Sequence, residues 1–243
     1  MQWLPQLGLV GNQAAYSTAY KGVGKHVITA TYSGDVHDAS SMSAALAEKS
    51  TIPPFPTNTA VSTSGSPSFI GQSVTFTGTV TCGTHAIPDG ELVTFYDGAT
   101  ALASVALSRG MAVYTISVLS VKTHTIKATY AGDANFKTSS GSVTQVVEKY
   151  PTTTTLTSSL NPSTFGQTVT FTAKVEDTGP YAPTGKVRFF DGTTGIGLVT
   201  LSSGIANLTK SNLAVGTHPI TAEYLGDADN ATSTSSVVNQ VVQ

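Results

Sequence analysis

His124-Thr125-Ile126-Lys127-Ala128-Thr129-Tyr130-Ala131-Gly132-Asp133 decides the architecture, because the chain contains this stretch three times. An earlier copy runs His26-Val27-Ile28-Thr29-Ala30-Thr31-Tyr32-Ser33-Gly34-Asp35, and a later one His218-Pro219-Ile220-Thr221-Ala222-Glu223-Tyr224-Leu225-Gly226-Asp227. The shared skeleton is His-x-Ile-x-Ala-x-Tyr-x-Gly-Asp. The copies stand 98 and 94 residues apart, a period that suits one β-sandwich domain of about 100 residues. From the Ile onward in each copy, Ile, Ala and Tyr alternate with Thr, Lys or Glu, the period-two pattern of a strand with one buried face.

Two further blocks occur twice. Gly71-Gln72-Ser73-Val74-Thr75-Phe76 matches Gly166-Gln167-Thr168-Val169-Thr170-Phe171, and Phe95-Tyr96-Asp97-Gly98 matches Phe189-Phe190-Asp191-Gly192. Asp-Gly after an alternating run is a hairpin turn signal. The closing strands, Val143–Val147 and Val237–Val242, also match. Neither doubled block has a copy before His26, and counting back from His26 against His124 sets Met1 beside Ala99. The expected organisation is therefore the latter half of a domain over 1–52, a whole domain over 53–149 and another over 150–243. About seven short strands per whole copy, with turns every 8–12 residues, predict an all-β chain of tandem immunoglobulin-like sandwiches.

Composition agrees and excludes several functions. Charged residues make up 11% of the 243, the net charge is −2 and only 12 residues are Lys or Arg. No basic cluster could neutralise a run of phosphates, which argues against nucleic acid as a partner. No run of about 20 apolar residues predicts membrane insertion. With one cysteine, Cys82, the chain can form neither an internal disulfide nor a four-cysteine zinc site. Met1-Gln2-Trp3-Leu4-Pro5 lacks the basic and apolar regions of a signal peptide, so an exported protein would start upstream of this stretch.

The Gly-Gln-x-Val-Thr-Phe opening, the Gly-x-Val-x-Phe-x-Asp-Gly centre from Gly185 to Gly192 and the Tyr-x-Gly-Asp ending resemble the bacterial immunoglobulin-like repeats of large surface-exposed and secreted proteins. The resemblance covers essentially the whole chain. It departs at Gly90-Glu91-Leu92-Val93-Thr94-Phe95, which holds one extra residue, read as a bulge. The resemblance implies extracellular or cell-surface display, adhesion or spacing, with other immunoglobulin-like domains or copies of the chain as partners. It brings no catalytic residues and no cofactor.

Several residues carry chemistry and need weighing. His26, His124 and His218 share one repeat position, which points to a fold contact with the preceding loop, as in a tyrosine corner, rather than to catalysis. Tyr32, Tyr130 and Tyr224 share another. Cys82 lies near His85, but a nucleophile pair needs an orienting third group and a cleft; alignment with Asp177 places Cys82 at an exposed strand end. Asp227, Asp229 and Asn230 offer part of the oxygen set that calcium needs. The competing reading is that Asp and Asn close tight turns through their side chains. Tyr96, Phe190 and the loop residue Tyr181 are the candidates for a glycan-binding surface; Tyr96 and Phe190 should face outward.

Half a sandwich would leave strand edges unpaired and an inner face uncovered. The expectation for residues 1–50 is completion by another copy of the chain or by upstream residues, a contact made through main-chain hydrogen bonds. Prolines in Ser50–Pro56 and Glu148–Thr152 predict short, stiff linkers.

Overall fold

Thr, Val and aromatic residues in alternation form strands throughout: the computed structural model describes residues 6–19, 23–51 and 53–243, and these hold twenty strands and no helix. In the first part of the chain, β1 (Gly24–Ile28), β2 (Thr31–Tyr32), β3 (Ser41–Met42) and β4 (Leu46–Ser50) form two antiparallel pairs, β1 with β4 and β2 with β3. The middle sandwich follows with β5 (Asn58–Thr63), β6 (Ser68–Phe69), β7 (Val74–Thr81) and β8 (Leu92–Asp97), then β9 (Thr100–Ala106), β10 (Met111–Ile116), β11 (Lys122–Tyr130) and β12 (Ser139–Glu148). Its layers are a three-stranded sheet, β10-β7-β5, and a five-stranded sheet, β6-β12-β11-β8-β9.

The last sandwich repeats this plan. Its strands are β13 (Thr152–Ser158), β14 (Val169–Asp177), β15 (Lys186–Asp191), β16 (Thr194–Thr200), β17 (Ile205–Lys210), β18 (Gly216–Tyr224), β19 (Ser233–Thr234) and β20 (Val238–Val242). One layer is β13-β14-β17; the other is built on β16-β15-β18, with β19 and β20 both pairing with β18. Between them Val169, Phe171, Ala173, Val175, Val187, Phe189, Ala206, Ile220, Ala222 and Tyr224 form one core, none more than 3% exposed. Burying each large side chain contributes about 1.5–3 kcal/mol. The Thr and Lys residues between them face solvent, as the alternation requires.

Turn chemistry is equally regular. Gly98 and Gly192 take φ of 58° and 59° directly after the strands that end in Asp97 and Asp191. Arg109-Gly110 and Ser203-Gly204 both have positive φ at two consecutive positions, the geometry of a tight hairpin turn. The extra residue of Gly90–Phe95 falls just before β8, where Leu107 accepts from the Gly90 N–H and donates to the Glu91 carbonyl, two residues against one. Leu92 stands opposite Ala106 as Lys186 stands opposite Thr200, so β8 and β15 match residue for residue and Glu91 is the counterpart of Gly185. Further bulges lie between Phe95 and Tyr96 and between Phe189 and Phe190, where Leu102 and Ile196 are the surplus residues of the partner strands.

Among the described residues, the first part repeats several features of this template. Val10 and Gln13 exchange backbone hydrogen bonds across Gly11 and Asn12, which both have positive φ, just as Ser108 and Met111 do across Arg109 and Gly110. In β1 and β4, His26 faces Glu48 as His124 faces Gln145 and His218 faces Gln240. Ala30 exchanges hydrogen bonds with Ser43 as Ala222 does with Ser235. The inner face is nevertheless open. Ile126, Ala128 and Tyr130 are at most 1% exposed, whereas Ile28 and Tyr32 are only half-buried and Ala30 is exposed. Leu9 is 53% exposed where its counterpart Leu107 is 2%. Trp3 lies outside the described residues.

Candidate functional site

His26 is half-buried, whereas His124 and His218 lie in the two whole sandwiches and use both ring nitrogens. His124 lies with Nδ1 2.8 Å from Asp97 Oδ2 and Nε2 2.8 Å from the Ser120 carbonyl. In the last sandwich His218 repeats this with Asp191 Oδ2 at 2.6 Å and the Ala214 carbonyl at 2.9 Å. The loop before β11 or β18 is thereby tied to the Asp of the Asp-Gly turn. Carbonyl and carboxylate oxygens only accept hydrogen bonds, so a His218 ring protonated at both nitrogens satisfies both of its contacts. Accordingly the Ala214 carbonyl raises the pKa of His218, burial opposes it, and the Asp191 carboxylate adds to the rise. Both nitrogens of each ring are thus taken up by fold contacts.

Sequence reasoning missed the residues facing these histidines. Gln145 and Gln240 are both fully buried. Gln145 accepts from the Thr63 hydroxyl at 2.6 Å and donates to Ser68 Oγ at 3.0 Å. Gln240 accepts from Ser158 Oγ at 2.6 Å and donates to Ser163 Oγ at 3.2 Å and the Leu160 carbonyl at 2.9 Å. Each glutamine thus pins the first strands of its sandwich to the last. The signal was the recurrence of Gln at one position of the closing strand, opposite the repeated His.

The Gly-Asp endings form one device in three copies. Asp35 Oδ1 accepts from the N–H of His37 and Asp38, both at 2.8 Å; Asp133 Oδ1 accepts from Asn135 and Phe136, both at 2.7 Å. Asp227 Oδ1 accepts from Asp229 at 2.9 Å and Asn230 at 2.7 Å. The preceding Gly34, Gly132 and Gly226 take φ between 73° and 83°, which favours glycine. At Gly34 and Gly226 a Cβ would also meet backbone oxygen at 2.8 and 2.9 Å.

Asp227 does more. Its Oδ2 accepts from the Thr184 N–H at 2.8 Å, the Thr184 hydroxyl at 2.7 Å and Asn230 Nδ2 at 3.3 Å. Asn230 is fully buried and also donates to the Tyr181 carbonyl at 3.0 Å. Burial would raise the pKa of Asp227, but these donors outweigh it and hold the carboxyl well below the usual carboxylate range. Tyr224 is pushed the other way, by burial first and then by Asp227. Asp227 and Asn230 thus close a turn, with donors on both Asp227 oxygens, while Asn230 Oδ1 is buried without a hydrogen-bond partner. Among the described residues no three His, Cys, Asp or Glu side chains are grouped to hold a metal.

Tyr32 is half-buried, while Tyr130 and Tyr224 are buried in the cores of the middle and last sandwiches; the Tyr130 hydroxyl donates to Glu91. The glycan candidates do not converge. Tyr96 lies under Lys127 Nζ, 5.0 Å from its ring centroid, and Phe190 under the Arg188 guanidinium at 6.0 Å, in different sandwiches. Tyr181 leans on Tyr150, with centroids 6.2 Å apart. Cys82 corrects its sequence reading: it is 4% exposed rather than at an open strand end, because the bridge between Cys82 and His85 folds the following turn over it. No described helix is long and apolar enough to cross a membrane.

Comparison with known proteins places this geometry. No curated protein matches the chain. Among solved structures, it is similar to the fibronectin(III)-like modules of Clostridium thermocellum CbhA, with 18% identity over 74% of this chain and 94% of that one and a TM-score of 0.32. It is also similar to the D0-D1 domain of intimin, at 15% identity over 75% and 97% with a TM-score of 0.28. The Yersinia pseudotuberculosis adhesin InvE is a third such structure, at 12% over 76% and 58% with a TM-score of 0.37. The sequence profile of the bacterial Ig-like domain (group 3) matches twice, over residues 60–148 and 156–243. Two such matches in tandem cover most of the chain, which therefore belongs to the bacterial Ig-like domain family, group 3.

Proposed function

We propose that this chain is a non-catalytic structural module of a bacterial surface or secreted protein, spacing or presenting other parts of an extracellular fibre, stalk or adhesin. The observation that carries the reading is the fate of the repeated histidines. The side chains best suited to chemistry recur at one position, are buried or nearly so in the two whole sandwiches, and bind fold partners at both nitrogens. A catalytic group needs a free atom and a cleft. Screening the whole chain against glycans and surface proteins tests this. A spacer gives no signal; saturable binding lost on Tyr181→Ala would replace the proposal by a glycan- or protein-binding module acting through loops at one sandwich end.

The open inner face supports a finer reading of the first part. Leu9, Ile28, Ala30 and Tyr32 occupy positions whose counterparts Leu107, Ile126, Ala128 and Tyr130 are buried in the middle sandwich, and the counterpart of Tyr16, Tyr114, stacks on Phe95. Strands like β5, β7 and β8, carried by preceding polypeptide or by another chain, would cover them and make the completed sandwich a joint in a larger assembly. Exchange protection of Gly24–Tyr32 when such strands are supplied is the measurement that bears on it.

A further inference from the structure

In each whole sandwich the first strands run beside the last, in the same direction. In the middle sandwich Thr59 Oγ1 lies 2.7 Å from Ser139 Oγ, near the start of both β5 and β12. Further along, Gln145 accepts from the Thr63 hydroxyl and the Val146 N–H donates to Ser66 Oγ at 2.9 Å; β6 then pairs in parallel with the end of β12. The last sandwich keeps this order against β19 and β20. Thr154 Oγ1 lies 2.7 Å from Ser233 Oγ, Gln240 accepts from Ser158, the Val241 N–H donates to Asn161 Oδ1 at 2.9 Å, and Ser163 pairs in parallel with Val242.

Direction decides how these contacts meet tension. A sandwich strung in a fibre is pulled at the start of its first strand and at the end of its last. Because the two strands are parallel, those points lie at opposite ends, and pulling slides one strand along the other. The hydrogen bonds between them run across the direction of sliding, so all of them are strained together. Antiparallel terminal strands would instead be pulled from one end and open bond by bond. Backbone pairing of β6 with β12 covers only two residues, so side chains make most of the links. The buried glutamines anchor them. Gln145 Nε2 donates to Ser68 Oγ and the Val146 carbonyl, and Gln240 Nε2 to Ser163 Oγ and the Leu160 and Val241 carbonyls. Both glutamines are fully buried, so a slip of one residue breaks these bonds where unmade hydrogen bonds cost most.

We infer that these paired terminal strands form a shear clamp that keeps each sandwich folded under tension, and that Gln145 and Gln240 set the force at which it gives way. The clamp's use rests on the structural reading, in which the chain transmits tension between other parts of a fibre or stalk. The two can fail separately: the screen for glycan and protein binding can overturn that reading without altering the forces measured below.

Single-molecule force spectroscopy of the full chain, held at its two ends, tests it. Gln240→Leu should raise the unfolding rate of the last sandwich at constant force by about tenfold, because it strands buried partners, and should leave the middle sandwich's unfolding event in place. Gln145→Leu should do the reverse. Val187→Ala removes core volume in β15, away from the terminal strands; it should lower the last sandwich's Tm with a much smaller change under force. Ser158→Ala takes one partner from Gln240 and serves if Gln240→Leu does not fold. An unfolding rate unmoved in a folded Gln240→Leu or Ser158→Ala chain would overturn the inference. So would Val187→Ala weakening the last sandwich under tension as much as Gln240→Leu at equal loss of Tm, which would leave the glutamine a part of general stability alone.

Discussion

Replacing Asp227 by Ala should unfold the last sandwich far more readily than its position in a surface loop suggests. The carboxylate accepts from three backbone N–H groups, one hydroxyl and one side-chain amide, joining two loops that lie 43 residues apart. A hydrogen bond to a charged group contributes about 1.5–3 kcal/mol when its partner would otherwise be stranded. Water can reach part of this loop, so the sum is discounted to about 3–4 kcal/mol. For a domain of this size each kcal/mol shifts Tm by about 4–8 °C, so a fall of about 15 °C in the last sandwich's transition is expected. Asp133→Ala, which removes an acceptor for two N–H groups, should cost about half as much. Calorimetry of the full chain, with tryptic mapping to assign each transition, measures both. An Asp227→Ala transition within a few degrees of the parent's would refute the reasoning. A transition raised by calcium and lowered by chelator, with Asp227→Ala abolishing the response, would replace the turn reading by a metal site.

Other expectations follow from the same contacts. His218 has a folded pKa raised above its ordinary 6.5, so its contribution is complete below about 6.5 and lost as pH rises through the folded value. Stability of the last sandwich should therefore decline on the alkaline side of neutrality, and His218→Gln should flatten that decline in urea titrations at stepped pH. Asp227, whose folded pKa is lowered, has the opposite sign: its contribution holds above about 4 and fades as pH falls, an acid limb that Asp227→Ala should lose. Gly141→Ala should destabilise the middle sandwich, because the added Cβ would stand 2.2 Å from the Thr59 carbonyl oxygen. Overpacking costs about 1–3 kcal/mol, and an unchanged urea midpoint would show that β5 yields freely.

The fold was legible because its signals are local. Alternation placed Val169, Phe171, Ala173 and Val175 on one face, and all four are core. Asp191-Gly192 announced a hairpin and is one. The polar contacts were half legible. Alignment singled out His124 and His218, but the partners of His218 lie 27 and 4 residues away, and only the folded register brings Asp191 under the ring. Gln145 and Gln240 escaped notice because a glutamine in a polar chain looks ordinary until burial makes its hydrogen bonds obligatory. Cys82 was misplaced for a related reason: alignment with Asp177 transfers a strand position, whereas burial depends on the turn that follows. The hairpin at Gly11-Asn12 lacked the sequence of its counterparts Arg109-Gly110 and Ser203-Gly204, and only the shared positive φ revealed the match.

The most direct test of a repeat left open in its first copy is hydrogen exchange on the chain extended at Met1 by a duplicate of residues 53–98, which carry the strands that precede the corresponding position in the middle sandwich. The account predicts that amides of Gly24–Tyr32 and Leu46–Ser50, fast in the parent chain, become as protected as those of Lys122–Tyr130 and unfold in a new cooperative transition. Unchanged exchange there, with the middle and last sandwiches intact, would contradict it.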